Sequence, residues 1–321
     1  MKCTNFCEAC EALKMKPMLK RVSIIFLLLN LLGGFSDTFG QQPFTYTQYM
    51  NSVTPYNANY SLLDKTGSIT ILGRQQWAGI DGAPSSLSFS GNLPITAINA
   101  SAGLIVLHDQ FAVEKLSEVS AFFAKEVQLS DNTFLGGSFT VGLRAYVANY
   151  SELDSFDPKF RDNLNETSGT TGISVMYYSP EKFYIGASLP RLSIKNLGKA
   201  STEENRYLKN NYYFNAGFVQ VIGSGWKIKP ATLVSYTHGL PVEANFSTSI
   251  YVKDQLGLGV NYNTSHELAG ILSYQFVNNM MFAYSYQTGF GKYAIGNAGG
   301  NATHEITFGL RFGKDFLPRI L

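Results

Sequence analysis

Four histidines are the side chains in this 321-residue chain with the clearest capacity for catalysis or metal binding. His266-Glu267 and His304-Glu305 are His-Glu pairs, but neither has a second histidine four residues after the first. The helical zinc-protease pattern is therefore absent. No Gly-x-Ser-x-Gly segment supplies a nucleophile elbow either. We interpret the histidines as structural or surface residues, and we expect no enzyme activity, no cofactor and no metal site.

The second group of candidate residues has side-chain oxygen atoms and lies in the middle of the chain. Asp154, Asp157 and Asp162 lie close to Asn163 and Asn165. Carboxylate and amide oxygens bind calcium, but the spacing does not match the helix-flanked calcium loop. We favour a solvated loop, and a calcium site is the alternative.

Charged residues within alternating segments form the third group of candidates. Arg74, Arg144, Glu126, Glu305 and Arg311 fall on or near the polar face of their segments. If the first and last segments pair, Arg74 approaches Glu305 or Arg311. We favour a charge network that holds the protein's interior together, and a contact to a ligand or peptide is the alternative.

The elements that must position these charges are β-strands. Residues 86–90, 256–262 and 305–312 alternate strictly between apolar and polar side chains. This period of two is the signature of strands with two different faces. No amphipathic helix of comparable length follows residue 67.

Marking alternating runs between turn signals predicts fourteen strands. Their lengths of about ten residues suit tilted strands that cross a bilayer. An all-β, closed transmembrane barrel of fourteen antiparallel strands is the predicted fold, with apolar side chains toward lipid and polar side chains toward the lumen. The predicted strands are 68–76, 85–92, 99–107, 117–127, 133–149, 169–178, 182–191, 210–222, 226–236, 243–252, 255–263, 267–276, 279–288 and 302–312.

The predicted connections alternate in length. Those after even-numbered strands are mostly tight, and those after odd-numbered strands are mostly long, including residues 108–116. Outer-membrane barrels have short periplasmic turns and long outward loops. This pattern places both chain ends at the periplasmic side. We expect the tyrosines of residues 46–60 to join aromatic girdles at the membrane interfaces.

The first forty residues carry the features of an export signal. Lys20-Arg21 precedes an apolar run over 22–32, and small residues within 38–40 suit a cleavage site after Gly40. A short N-terminal anchor is the alternative. The predicted organisation is therefore a signal region (1–40), a lumen plug or periplasmic strap (41–66), the barrel (67–312) and a periplasmic tail (313–321).

Removing the signal region changes the composition of the processed chain. All three cysteines lie within the first ten residues, so the processed chain has no disulfide. Five of 25 basic and three of 23 acidic residues are also removed, which leaves 20 of each and changes the formal net charge from +2 to zero. A neutral chain lacks the basic surface that nucleic-acid binding requires.

Several segments in order resemble the PorP/SprF family of the type IX secretion system. The most specific are Arg74–Ile80 and His304-Glu305-Ile306. One departure is Asn57-Ala58-Asn59, where the family usually has Asn-Pro-Ala. The other similar segments are 48–51, 56–59, 86–90, 103–109 and 181–188.

The resemblance implies an outer-membrane barrel that captures, secretes or anchors a surface adhesin through the adhesin's C-terminal domain. It also implies contact with periplasmic ring components of the secretion and gliding machinery. Within such a protein we expect Trp77, Phe156, Phe160 and Tyr293 to act as aromatic anchors for the partner, because aromatic residues often dominate interfaces. A transport channel for small or hydrophobic solutes is the alternative function.

Overall fold

The fold was determined as a computed structural model that describes residues 45–152, 163–180, 182–194, 209–277, 279–289 and 302–313. The described chain is a single antiparallel sheet with four short 3-10 turns. Three of these turns are Tyr49–Asn51, Ala58–Leu62 and Thr96–Ile98, and the fourth is Tyr150–Glu152. No helix in these ranges is long and apolar enough to cross a bilayer.

Fifteen strand segments form the wall, and they follow the alternating segments of the sequence closely. The segments are β1 Gly67–Gln75, β2 Ser85–Ile95, β3 Ala100–Phe111, β4 Glu114–Ser130, β5 Thr133–Ala148, β6 Leu164–Ser179, β7 Phe183–Ser193, β8 Asn211–Phe218, β9 Gln220–Gly223, β10 Trp226–Thr237, β11 Glu243–Val252, β12 Leu256–Asn263, β13 Glu267–Gln275, β14 Met280–Gly289 and β15 Thr303–Phe312.

The sheet closes into a barrel of fourteen strands. Each strand pairs with its neighbours in the chain, and β1 pairs with β15, in a register that sets Arg74 opposite Glu305. The segments β8 and β9 both pair with β10 and together make one strand of the wall, interrupted at Val219. The predicted strand count and closure are therefore confirmed.

The two faces of the wall differ as the alternation predicts. In β4, Glu118 and Ser120 point inward and are at most 3% exposed, whereas Val119 and Phe123 point outward and are 53% and 43% exposed. Because a hydrocarbon environment leaves no partner for unpaired backbone groups, a closed sheet with an apolar outer face is the form that spans a membrane.

The two ends of the barrel differ in their connections. At the end where β1 begins, here called the turn end, residues 131–132 and 224–225 are examples of tight connections. At the opposite end, here called the loop end, long connections follow β5, β7 and β14. The prediction of a long connection after β3 is wrong. Strand β3 extends to Phe111 and β4 begins at Glu114, so a tight turn joins them. Ala112 in this turn has a left-handed backbone (φ 49°).

Residues 45–66, here called the N-terminal segment, lie inside the ring of strands. Tyr46, Tyr49 and Tyr56 are each 1% exposed, and Tyr60 packs edge-on against the inward-facing Tyr184 of β7 at 5.4 Å. The expectation that these tyrosines form membrane girdles is therefore wrong. Buried ring hydroxyls favour polar partners, and the lumen supplies them for Tyr49, whose hydroxyl lies 2.9 Å from that of Ser247, and for Tyr56, whose hydroxyl accepts the Tyr46 amide at 3.0 Å.

The two ends of the N-terminal segment lie at opposite ends of the barrel, and between them the segment folds back, since the Tyr56 hydroxyl accepts the Tyr46 amide at 3.0 Å. The carbonyl of Thr45 accepts a hydrogen bond from Arg74, near the loop end of β1, whereas Thr66 directly precedes Gly67 at the turn end. The first described residue and the end of β15 therefore lie at opposite ends of the barrel. The chain ends themselves, residues 1–44 and 314–321, lie outside the described residues, so the expectation that both lie on the periplasmic side stays a prediction.

Candidate functional site

The lumen contacts of the N-terminal segment form the candidate site, and the tightest are at the loop end. Glu305 of β15 accepts the backbone amide of Thr47 at 2.8 Å and that of Gln48 at 2.9 Å. Nη1 of Arg74 lies 2.8 Å from the same carboxylate and donates to the Thr45 carbonyl at 2.7 Å. Three of these charge-assisted contacts hold three consecutive peptide units of the segment against β1 and β15, and the fourth joins the two wall residues.

Polar side chains of β11 to β14 complete the loop-end contacts. Glu243, 3% exposed, accepts the Thr45 hydroxyl at 2.7 Å and the side-chain amide of Asn263 at 2.5 Å. The hydroxyl of Thr47 donates to Gln287 at 2.5 Å. Every one of these inward-facing groups thus has a partner in the segment or the wall, as buried polar groups require.

A second charge cluster lies near the middle of the segment. Arg144 of β5 donates from Nε and Nη2 to one oxygen of Glu118, at 2.9 and 2.8 Å. Arg191 of β7 donates to the other carboxylate oxygen at 3.0 Å and to the Pro55 carbonyl at 3.1 Å. All three charged side chains are at most 4% exposed, so the carboxylate lies between two guanidinium groups in a buried setting.

Asn57 fixes the segment between β6 and β8. Its side chain donates to the Val175 carbonyl at 3.1 Å and to Asn215 at 3.2 Å, and it accepts the Asn59 amide at 3.2 Å as a cap of the following 3-10 turn. Close approach to the wall depends on Gly186, because a Cβ there would lie 2.5 Å from the Asn57 side-chain nitrogen.

At the turn end the ion pair is longer and more exposed than the Arg74–Glu305 pair, although one further contact there is buried. Lys229 of β10, 2% exposed, donates to the Met50 carbonyl at 3.1 Å. Arg311 pairs with Asp64 at 3.2 Å, with side-chain exposures of 26% and 17%. A cavity of about 80 Å³ lies beside these residues and is also lined by Thr66.

Comparison with known proteins identifies the family. The profile described as "Type IX secretion system membrane protein PorP/SprF" matches residues 38–310. The chain belongs to the PorP/SprF family. Its closed barrel with an apolar outer face is a protein of the bacterial outer membrane. No curated protein matches the chain.

Several solved structures are similar to this PorP/SprF barrel at low sequence identity. Acinetobacter baumannii Omp33 is 9% identical, with a TM-score of 0.46, over 78% of this chain and 99% of that chain. The Pseudomonas putida toluene transporter TodX is 9% identical, with a TM-score of 0.45, over 85% and 95%. A Pseudomonas aeruginosa FadL homologue is 11% identical, with a TM-score of 0.44, over 80% and 92%.

The lumen charges predicted from sequence fall into separate clusters of the PorP/SprF barrel. Arg74 and Glu305 pair with each other, whereas Arg144 pairs with Glu118 and Arg311 pairs with Asp64. Glu126, at the turn end, accepts the Tyr178 hydroxyl and lies 3.4 Å from Lys65. Arg74 thus approaches Glu305, one of the two alternatives.

The sequence analysis did not predict four charged residues that contact the segment or the wall residues that bind it. They are Glu118, Arg191, Lys229 and Glu243. Alternation alone puts Glu118 on the inner face of β4, and that signal was available. Lys229 shares its inner face with Ala231 and Leu233, so polarity alone does not mark the inward side of β10.

Of the aromatic anchors expected in this PorP/SprF protein, Trp77 lies among the described residues. It follows β1 at the loop end, is partly buried and has a left-handed backbone (φ 44°). The amide of Ile80 donates to its carbonyl at 3.1 Å, which closes a turn. Phe156, Phe160 and Tyr293 lie outside the described residues.

Proposed function

We propose that this PorP/SprF protein is a non-enzymatic barrel that captures, secretes or anchors a surface adhesin through the adhesin's C-terminal domain. Its further partners would be periplasmic ring components of the secretion and gliding machinery. Family membership supports a role in the type IX secretion machinery, and the finer assignment to an adhesin is our proposal.

The observation that carries the proposal is the N-terminal segment in the lumen. We propose that it is a plug, preceded by a signal peptide cleaved after Gly40. Its buried contacts to Glu305, Arg191 and Lys229 span the lumen from the loop end to the turn end. A barrel whose lumen is occupied in this way is poorly suited to free solute diffusion. We therefore assign its function to contacts with other proteins.

The loop end is the proposed contact surface. The long connections after β5, β7 and β14 lie there, and Trp77 lies in the connection between β1 and β2. Because anchors at protein interfaces are often aromatic, we assign Trp77, Phe156, Phe160 and Tyr293 to partner contact. The lumen charges, in contrast, are assigned to holding the plug.

Purification from the native host tests the proposed function. We expect the detergent-solubilised barrel to bring down a large adhesin-like chain together with secretion components. The variant Trp77→Ala should reduce recovery of the adhesin, whereas Ile80→Ala in the same connection, a residue that is 38% exposed, is the matched control. Purification of the barrel without such partners would contradict the proposal.

A transport channel for small or hydrophobic solutes is the second candidate. The cavity of about 80 Å³ at the turn end, lined by Met50 and Met281 among others, favours it because a solute path needs open volume. Conductance of the purified barrel in planar bilayers distinguishes the two functions. Steady conductance by the unmodified chain supports the channel, and a closed barrel supports partner capture.

A further inference from the structure

Wall side chains bind the main chain of the N-terminal segment at points along its length. Two backbone amides donate to Glu305, and the carbonyls of four other peptide units accept from the wall. All five wall side chains are at least 92% buried. The four donors to carbonyls are Arg74 to Thr45, Lys229 to Met50, Arg191 to Pro55 and Ser188 to Tyr56.

The wall closes without the segment. Strands β1 and β15 pair along nine residues each, from Gly67–Phe312 to Gln75–His304, and within the described chain no strand pairing includes residues 45–66. The segment's own backbone hydrogen bonds are local turns, such as Ser52 to Tyr49 and Tyr60 to Asn57. The segment therefore relates to the barrel as a bound polypeptide relates to its receptor.

The charges of this arrangement are divided unequally. Residues 45–63 contain no Asp, Glu, Lys or Arg, whereas the wall supplies Arg74, Glu305, Arg191 and Lys229. The side chains of the segment are mainly Tyr, Asn, Thr, Ser and a few aliphatic residues. A charged residue brought into this space would lose its solvation, which is costly in a buried site unless a wall residue of opposite charge pairs with it.

We propose that the lumen is a polypeptide-binding site, and that the N-terminal segment occupies it as an intramolecular substitute for a segment of a partner protein. The ligand class is an uncharged, irregular segment rich in Tyr, Asn, Ser and Thr. It binds with its N-terminal part toward the loop end, because Glu305 accepts the amides of Thr47 and Gln48 there, whereas Thr66 adjoins Gly67 at the turn end.

Main-chain recognition explains how such a site accepts more than one sequence. Backbone amides and carbonyls are present in every polypeptide, so contacts to them position a segment whatever its side chains are. Side-chain contacts add selectivity, namely those of Thr45 to Glu243, Thr47 to Gln287, Tyr49 to Ser247, and Asn57 to Val175 and Asn215. The identity of the partner rests on the proposed function, but the site itself does not.

Cutting the link between the segment and β1 makes the exchange measurable. We would insert a protease recognition sequence after Lys65, whose side chain is 52% exposed at the turn end. The cleaved full-length barrel in detergent is then mixed with a fluorescently labelled peptide of residues 45–66, and binding is followed by fluorescence anisotropy. The labelled peptide should bind the cleaved barrel and not the uncleaved one, because a tethered segment competes at a high effective concentration.

Chemical modification of the peptide tests main-chain recognition while leaving the barrel unchanged. N-methylation of Gln48 removes the amide donor to Glu305 and should weaken binding at least about tenfold, as expected for a charge-assisted hydrogen bond. N-methylation of Thr54, whose amide donates no hydrogen bond to the wall within the described residues, is the matched control and should retain most of the affinity.

Two results would overturn the inference. In the first, the cleaved segment stays bound and no labelled peptide enters the barrel. In the second, the peptide N-methylated at Gln48 binds as tightly as the unmodified peptide. Either result leaves recovery of an adhesin from the native host unaffected, so it is distinguishable from failure of the proposed function.

Discussion

The two ends of the N-terminal segment are held in different ways. At the loop end, Arg74 and Glu305 are 8% and 0% exposed and contact three consecutive peptide units of the segment. At the turn end, Asp64 and Arg311 are 17% and 26% exposed, and a cavity lies beside them. The segment is therefore held most tightly at the end farther from its covalent link to β1.

This difference has a physical reason. At the turn end the peptide bond to Gly67 already limits where the segment lies, so weak contacts suffice there. The link to the wall lies at the turn end, so at the loop end the cost of ordering the chain, about 1–2 kcal/mol for each backbone residue, must be offset by contacts. Buried, charge-assisted hydrogen bonds provide that compensation.

The largest expected effect follows from removing the loop-end carboxylate. Glu305→Gln leaves the guanidinium of Arg74 buried without its ion-pair partner, and it weakens two amide contacts. Breaking a buried ion pair costs about 3–5 kcal/mol. We expect a lower urea midpoint for unfolding of the barrel in detergent, measured by tryptophan fluorescence.

Ile306→Val is the control for Glu305→Gln. Ile306 is the next residue of β15, faces outward and is 51% exposed, so its substitution leaves the lumen unchanged. Equal urea midpoints for the Glu305 variant and the unmodified protein would show that the loop end is not the tighter end.

A smaller loss is expected midway along the segment. Asn57→Ala removes the contacts to Val175 and Asn215 together with the cap of the 3-10 turn. Losing these neutral hydrogen bonds costs about 2 kcal/mol. Hydrogen exchange should quicken at Asn59, whose amide donates to Asn57, and unchanged protection there would contradict the prediction.

Asn51→Ala is the matched control for the Asn57 variant. The Asn51 side chain donates to Gln48 within the segment at 3.3 Å, a long contact that does not reach the wall. Its removal should leave hydrogen exchange at Asn59 unchanged.

Thiol labelling compares the two ends directly. In a chain with Cys3, Cys7 and Cys10 replaced by Ser, we expect Ser52→Cys to react with a small methanethiosulfonate at least about tenfold faster than Thr47→Cys. Ser52 lines the turn-end cavity, whereas Thr47 lies within the loop-end contacts, and local opening controls reagent access. Equal labelling rates would remove the distinction between the ends.

The wall was predictable from the sequence because alternation and closure are local rules. Residues 256–262 show the period directly, and pairing of the first and last strands brings Arg74 to Glu305. The connection after β3 was not predictable, since Ala112 adopts a left-handed backbone that its sequence does not signal.

The interior contacts were harder to predict than the wall. Tyr46 and Tyr49 suit a membrane interface as well as a polar lumen, and the choice depends on partners distant in sequence. Tyr49, for example, meets Ser247 of β11 at 2.9 Å, almost two hundred residues later. No periodic pattern in the segment indicates such contacts.

The smallest expected effect is at the turn end. Asp64→Asn removes the charge that pairs with Arg311, but both side chains are partly exposed, and such pairs contribute about 1 kcal/mol or less. Salt screens exposed charges, so the small difference in urea midpoint should vanish near 1 M salt, where the Debye length is about 3 Å. The loss in Glu305→Gln should persist under the same conditions, because its pair is buried. If the Asp64 variant instead lost as much stability, and kept that loss in high salt, the turn end would be held as firmly as the loop end.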